Sequence, residues 1–140
     1  MSHIISSSAL YEVINRKANN NGSDFTIKSI KTGKDYTYKI SRSEYKGVWY
    51  THVKVEVEYQ NFVRLGTYFN GSIRHKGNVV DSPSAMAIAY VLGKAETKNF
   101  GLLDSLVEVM HTGNCLVCGK TLTDAKSIEF GLGPICRGGY

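Results

Sequence analysis

A stretch of alternating residues in the middle of the chain restricts the possible folds more than any other feature. Between residues 49 and 59, one set of alternate positions carries tryptophan, threonine, valine and tyrosine, and the other carries mainly histidine, lysine and glutamate. This two-residue period is typical of an antiparallel strand with one buried face and one solvated face. The chain of 140 residues is therefore expected to contain an antiparallel sheet.

Shorter alternating runs lie on both sides of this strand. Phe25 and Ile27 begin the first run, Tyr36, Tyr38 and Ile40 form the second, and residues 62–69 form the last. The turn-forming residues 32–35 between the first two runs favour a hairpin. Together these segments predict an antiparallel meander of about four strands.

Helical signals occur before and after the meander. Apolar residues at helical spacing predict a short helix around Leu10, and Ser82 followed by Pro83 is typical of a helix start. The apolar run over residues 84–94 is expected to pack against the sheet. A second helix is predicted over residues 98–110, where Phe100, Leu103 and Val107 share one face.

Cysteine and glycine residues near the C-terminus indicate a metal site. Cys115 and Cys118 have the C-x2-C-G spacing at which two thiolates reach one ion, and Cys136 follows a second glycine-rich turn. Structural zinc requires four ligands, and the position expected for a fourth cysteine is Gly139. We therefore expect His111, at the end of the predicted last helix, to complete a site for one structural zinc ion.

Two alternatives to this site stay open. The cysteines could be buried or redox-active thiols without a metal, and a histidine is favourable at any helix C-terminus. Catalytic zinc is not expected, because the H-x-E and H-E-x-x-H patterns are absent from the sequence. The sequence also lacks phosphate-binding glycine loops and the G-x-S-x-G elbow. We predict that the protein is not an enzyme, and no small-molecule substrate is evident.

The same C-terminal residues carry a family resemblance. The string C-x2-C-G-K-x-L-T-D, then Ser127, then G-L-G-P-I-C, resembles a small zinc-binding domain of uncharacterised function that is common in bacteriophage and prophage proteins. The resemblance covers roughly the last thirty residues. His111 stands where many members place a histidine, and Lys120 stands where arginine is usual. This domain often accompanies DNA-processing modules, so the resemblance implies a phage-type protein working in the cytoplasm of an infected or lysogenic bacterial host.

The charge of the chain favours a polyanionic partner. The formal net charge is +5, and many basic residues fall near predicted turns or in the C-terminal segment. The candidate nucleic-acid contacts are Lys31, Lys34, Lys46, Arg74, Lys76, Lys120, Lys126 and Arg137. The sequence thus predicts a nucleic-acid-binding accessory factor. The alternative is a phage factor that binds a host protein and inhibits or redirects a host enzyme of defence or transcription.

These features combine into an α+β fold with an antiparallel sheet of about four strands, packed helices and a C-terminal zinc knuckle. Residues 1–110 are expected to form the α+β domain, with one helix, the four-strand meander and two further helices. Residues 111–140 are expected to form the zinc-binding knuckle. No apolar run is long enough to span a bilayer, so no membrane association is expected.

Overall fold

The fold is built around one antiparallel sheet. The computed structural model describes residues 3–15, 24–116 and 121–130. Its elements in chain order are β1 (His3–Ile5), α1 (Ser7–Asn15), β2 (Phe25–Ser29), β3 (Asp35–Tyr45), β4 (Val48–Glu58), β5 (Asn61–Phe69), β6 (Ser72–His75), β7 (Asn78–Val79), α2 (Pro83–Glu96), α3 (Phe100–Leu106), β8 (Val107–His111) and α4 (Ala125–Phe130). The strand order is β1-β8-β2-β3-β4-β5-β6-β7, so β2 to β7 form a meander and β8 returns between β1 and β2.

Alternation and tight turns explain the long central strands. In β4, Val53 and Val55 are buried, whereas Lys54 between them is exposed. Both Asn70 and Gly71 between β5 and β6 have positive φ angles, of 49° and 88°. Two consecutive positive φ angles match the twist of a two-residue hairpin turn, and asparagine followed by glycine adopts them at low cost. This turn reverses the chain directly from β5 into β6.

The helices cover the apolar face of the sheet. Ser82 caps α2 by accepting a hydrogen bond from the Ala85 amide at 3.4 Å, and Pro83 occupies the first turn. The buried face of α2 includes Ile88, Val91 and Leu92. The sheet contributes fully buried residues to the same core: Tyr38, Val53, Ile73 and Val109. The Tyr38 hydroxyl donates a hydrogen bond to the Ser84 carbonyl at 2.7 Å, which joins β3 to the start of α2.

The segment predicted as a single helix over residues 98–110 changes conformation in its second half. Helix α3 ends at Leu106, and residues 107–111 form β8. Val109 of β8 lies opposite both Ile5 of β1 and Ile27 of β2, and it is 1% exposed. The helical prediction is wrong here because a short apolar run satisfies both periods, and backbone pairing with two neighbouring strands decides between them.

The fold class predicted from the sequence is therefore wrong in its number of strands. β2 to β5 coincide with the alternating segments, but the sheet has eight strands, because β1, β6, β7 and β8 extend it. Three of these four strands have four residues or fewer, and β8 has five, so they carry too little alternation to be recognised locally.

The predicted zinc knuckle is likewise not seen in the described part of the C-terminal segment. There His111 belongs to the sheet, Asn114 and Thr121 form a β-bridge, and residues 125–130 form α4. The predicted domain boundary between residues 110 and 111 falls inside β8, and the division into two domains stays a prediction. None of the helices in the described ranges is long and apolar enough to cross a membrane.

Candidate functional sites: the end of strand β8 and the open sheet face

His111 lies at the end of β8, on the face covered by helices. It is 1% exposed and pairs across the sheet with His3 on one side and Phe25 on the other. Its Nε2 atom donates a hydrogen bond to the Ile128 carbonyl of α4 at 2.7 Å, and Nδ1 accepts one from the Gly113 amide at 3.0 Å. Burial holds the pKa of His111 below its ordinary value. The ring is therefore neutral and fixed in one tautomer.

This tautomer fits the residue that the sequence assigns to zinc. Histidines that bind metals commonly donate one ring N–H to a backbone carbonyl and present the other nitrogen as the ligand. In His111 the Nε2–H to Ile128 bond leaves the lone pair on Nδ1, which accepts the hydrogen bond from the Gly113 amide. The same two hydrogen bonds also suit a buried structural histidine. A metal ion at Nδ1 would therefore have to replace the hydrogen bond from the Gly113 amide.

Cys115 lies close in sequence to this histidine and is fully buried, with 0% exposure. The Leu122 amide donates a hydrogen bond to the Gly113 carbonyl at 2.8 Å, and Asn114 and Thr121 form an antiparallel β-bridge. Cys118, Lys120, Cys136 and Arg137 lie outside the described residues. Among the residues that the structure does describe, no group of three or more metal-binding side chains occurs.

His3 is a neighbour of this site that the sequence did not reveal. Its ring lies 5.4 Å from that of His111, centroid to centroid, and its Nε2 would lie 3.6 Å from a Cβ atom added to Gly113. No periodic signal in the sequence marks His3, because β1 has only three residues. Pairing between β1 and β8 brings the two imidazoles together.

The second candidate site is the face of the sheet opposite the helices, here called the open face. Lys39 of β3 pairs with Lys54 of β4, and Lys54 pairs with Arg64 of β5. All three side chains are exposed and form one cross-strand row, here called the basic row. They line a depression of about 300 Å³ together with Ser41, Ser43 and His52. The ammonium group of Lys39 lies 4.7 Å from the centroid of the Phe62 ring.

A polar row lies beside the basic row. His52 Nε2 is 2.7 Å from the Ser43 hydroxyl, and Nδ1 is 3.0 Å from the Thr67 hydroxyl. Burial, and then the charge of Arg64, lower the pKa of His52. Since both ring nitrogens have hydroxyl partners, the imidazole is held in place. Thr67 also pairs with Arg74 of β6, which extends the basic surface.

The predicted nucleic-acid contacts are divided among several places in the structure. Lys31 and Lys34 lie in the β2–β3 turn, whereas Lys46 lies in the β3–β4 turn at the other end of β3. The eleven residues of β3 separate these turns by roughly 35 Å. Arg74 belongs to the open face, Lys76 lies in the β6–β7 turn, and Lys126 is exposed on α4.

The basic row itself was absent from the predicted contacts. Lys39 and Lys54 were recognisable as polar positions in alternating strands, but their distance of fifteen residues in the chain hides their proximity. Arg64 joins them through an irregular register between β4 and β5. A search for basic residues at matching positions of consecutive hairpin strands would have found this row.

The described residues thus define an antiparallel sheet protein with a covered apolar face, an open basic face and a histidine–cysteine segment after its last strand. Residues 107–140, which begin with β8 and include that segment, match a family of unknown function, DUF6011. No curated protein and no solved structure shows significant similarity to the chain.

Proposed function

We propose that the protein is a non-enzymatic, phage-type accessory factor that binds nucleic acid through the open face of its sheet. The observation that carries the proposal is the basic row, in which Lys39, Lys54 and Arg64 lie directly opposite one another. Like charges in register repel each other and destabilise a sheet. A phosphate backbone placed across the row would neutralise this repulsion and release its own counterions.

The proposal includes one structural zinc ion in the C-terminal segment, held by His111, Cys115, Cys118 and Cys136. The neutral tautomer of His111 supports it, and a zinc ion would compensate the charge of a thiolate at the buried Cys115. When bound, the ion would cross-link a short segment that has little core of its own. The Ile128 carbonyl orients the ring of His111, and Gly113, two residues before Cys115, accepts a hydrogen bond from the Leu122 amide.

The setting of this function follows from the resemblance of the C-terminal motif. Domains of that kind are common in phage and prophage proteins and often accompany DNA-processing modules. We therefore propose that the protein acts in the cytoplasm of an infected or lysogenic bacterium. The net charge of +5 is consistent with a nucleic-acid partner there.

Fluorescence anisotropy with single-stranded DNA, duplex DNA and RNA at two salt concentrations tests the binding. Wild-type protein is expected to bind with micromolar or higher affinity, and binding should weaken steeply with salt. Lys54→Glu should weaken binding about tenfold at low salt and reduce the salt slope by about 0.7 per lost phosphate contact on a single strand. The control is Lys98→Glu, which makes the same charge change in the α2–α3 connection. Equal affinities of the two variants would contradict the assignment to the open face.

Metal analysis of the purified protein tests the zinc site separately. One zinc ion per chain is expected, and Cys115→Ser should lower this occupancy. His111→Gln and His3→Gln compare the two neighbouring imidazoles, and cobalt substitution reports on the ligands through its absorption spectrum. Absence of stoichiometric zinc in protein refolded with excess metal would refute the site.

An exposed apolar patch favours the second candidate function, binding of a host protein. Val57, Tyr59 and Val63 lie where β4 and β5 meet, and they are 56%, 88% and 42% exposed. Exposed apolar residues that are close together are typical of protein interaction surfaces. If the protein binds none of the oligonucleotides at low salt, this patch becomes the candidate interface. Bait protein with Tyr59→Ala should then capture less of a host protein than wild-type bait does.

A further inference from the structure

We infer that the open face binds single-stranded nucleic acid in preference to duplex, with unpaired bases stacking on His52 and Tyr50. This inference rests on the proposed function and specifies its substrate class. Its basis is the arrangement of aromatic side chains beside the basic row on one face of the sheet.

Strand β4 carries both aromatic residues and a central residue of the basic row. Tyr50, His52 and Lys54 are alternate residues of β4, so their side chains point to the same face. Successive residues on one face are about 7 Å apart, which places His52 about 7 Å and Tyr50 about 14 Å from Lys54. A nucleotide whose phosphate lies on Lys54 can therefore extend its base over the polar row toward these rings.

The imidazole of His52 is a fixed platform. Hydrogen bonds to Ser43 and Thr67 restrain the ring at both nitrogens, at 2.7 and 3.0 Å. A ring held in this way loses little conformational entropy when a base stacks on it. Tyr50, which pairs with Ser43 across the sheet, continues the aromatic surface, and Tyr45 at the hairpin tip is 62% exposed.

Acidic residues on the other side of the basic row indicate in which direction a bound nucleic acid extends from it. Glu56 follows Lys54 on the same face and pairs with Phe62. Asp24 is close enough to Glu56 and Lys39 for both charges to affect its pKa, which burial raises above the ordinary value. Negative charge repels phosphates, so the nucleic acid should extend from the basic row toward His52 and Tyr50 rather than toward Glu56.

The geometry distinguishes single strands from duplexes. In a duplex the bases are paired and stacked inside the helix, so side chains on a sheet face meet only backbone and groove edges. Stacking on protein aromatics requires bases that are free of partners. The basic row would attract either form, but only a single strand would gain the stacking contribution.

Anisotropy with three oligonucleotides of equal length tests the inference: a single strand, the blunt duplex and an abasic single strand. Wild-type protein should bind the single strand at least about fivefold more tightly than the abasic strand, because stacking is lost without bases. Tyr50→Ala should remove most of this preference with an unchanged salt slope, and Tyr50→Phe should retain it. Tyr59→Ala, at the exposed β4–β5 end, is the matched control.

The outcomes separate this inference from the proposed function. Failure to bind any of the three oligonucleotides would refute both. Equal binding of single strand, duplex and abasic strand, with Lys54→Glu weakening all three, would refute only the single-strand preference and leave phosphate binding in place. A base-dependent preference that Tyr50→Ala abolishes would support the inference.

Discussion

Strands β4 and β8 belong to the same sheet but differ in how local sequence determines them. β4 has eleven residues with regular alternation, and its buried Val53 and Val55 were predictable from that pattern. β8 has five residues, and its sequence also suits the end of a helix. Yet Val109 in β8 is as deeply buried as Val53 in β4, at 1% and 0% exposure. Long strands carry their own signal, whereas short ones depend on the strands that flank them.

The largest expected effect comes from placing a charge in β8. Val109→Asp should destabilise the protein by more than about 3 kcal/mol, because an unpaired carboxylate would be buried between β1 and β2. Val57→Asp makes the same change at a 56% exposed position of β4 and should cost no more than about 1 kcal/mol. Urea denaturation measures both values. Similar losses for the two variants would contradict the position of β8 between β1 and β2.

A smaller effect is expected where β5 passes close to β6. A Cβ atom on Gly66 would collide with the carbonyl oxygen of Arg74, which belongs to the backbone. Gly66→Ala should therefore cost about 1–3 kcal/mol. Gly101→Ala is the matched control in helix α3, where the space is open. Alanine there should stabilise the protein by roughly 0.5–1 kcal/mol. Thermal unfolding measures the change in stability for both variants. If both substitutions change the stability in the same direction, the close approach of β5 and β6 at Gly66 is contradicted.

The smallest effect concerns the pH dependence of stability at His52. Its pKa is lower in the folded protein than in the unfolded chain, so protons bind preferentially to the unfolded state. The contribution of His52 to the free energy of unfolding is therefore fully present above the unfolded pKa of about 6.5, and it is lost as the pH falls below that value. His52→Gln should therefore make the stability less sensitive to pH between about 7 and 5. Urea midpoints across this range measure it, and parallel curves for both proteins would contradict the lowered pKa of His52.

Local sequence predicted the elements that carry repeated or specific signals. The start of α2 was predictable from Ser82 and Pro83, because capping and proline preferences act within one turn. The boundary between α3 and β8 was not, because Leu106 and Val107 fit either conformation locally. Backbone hydrogen bonds from β1 and β2 select the strand there. β1 lies about 100 residues before β8 in the chain, and β2 lies about 80 residues before it.

The candidate sites likewise combine features that local sequence predicts with features that only distant pairing creates. The C-x2-C-G spacing around Cys115 predicts metal binding from local chemistry, and the expected zinc site stays a prediction. The proximity of His3 to His111, in contrast, required a pairing between the two ends of the described chain. The basic row likewise required the registers of β3, β4 and β5, since Lys39, Lys54 and Arg64 are far apart in sequence.

The sequence by itself determined the long alternating strands, the start of α2, the positive charge and the cysteine spacing. These features depend on interactions within a few residues, such as side-chain alternation, capping and turn preferences. Tertiary structure alone decided that β8 lies between β1 and β2, that His3 meets His111, and that three basic residues form one row on the open face. The reason is physical: strand register is set by backbone hydrogen bonds and core packing between distant segments, and local periodicity does not record such pairing.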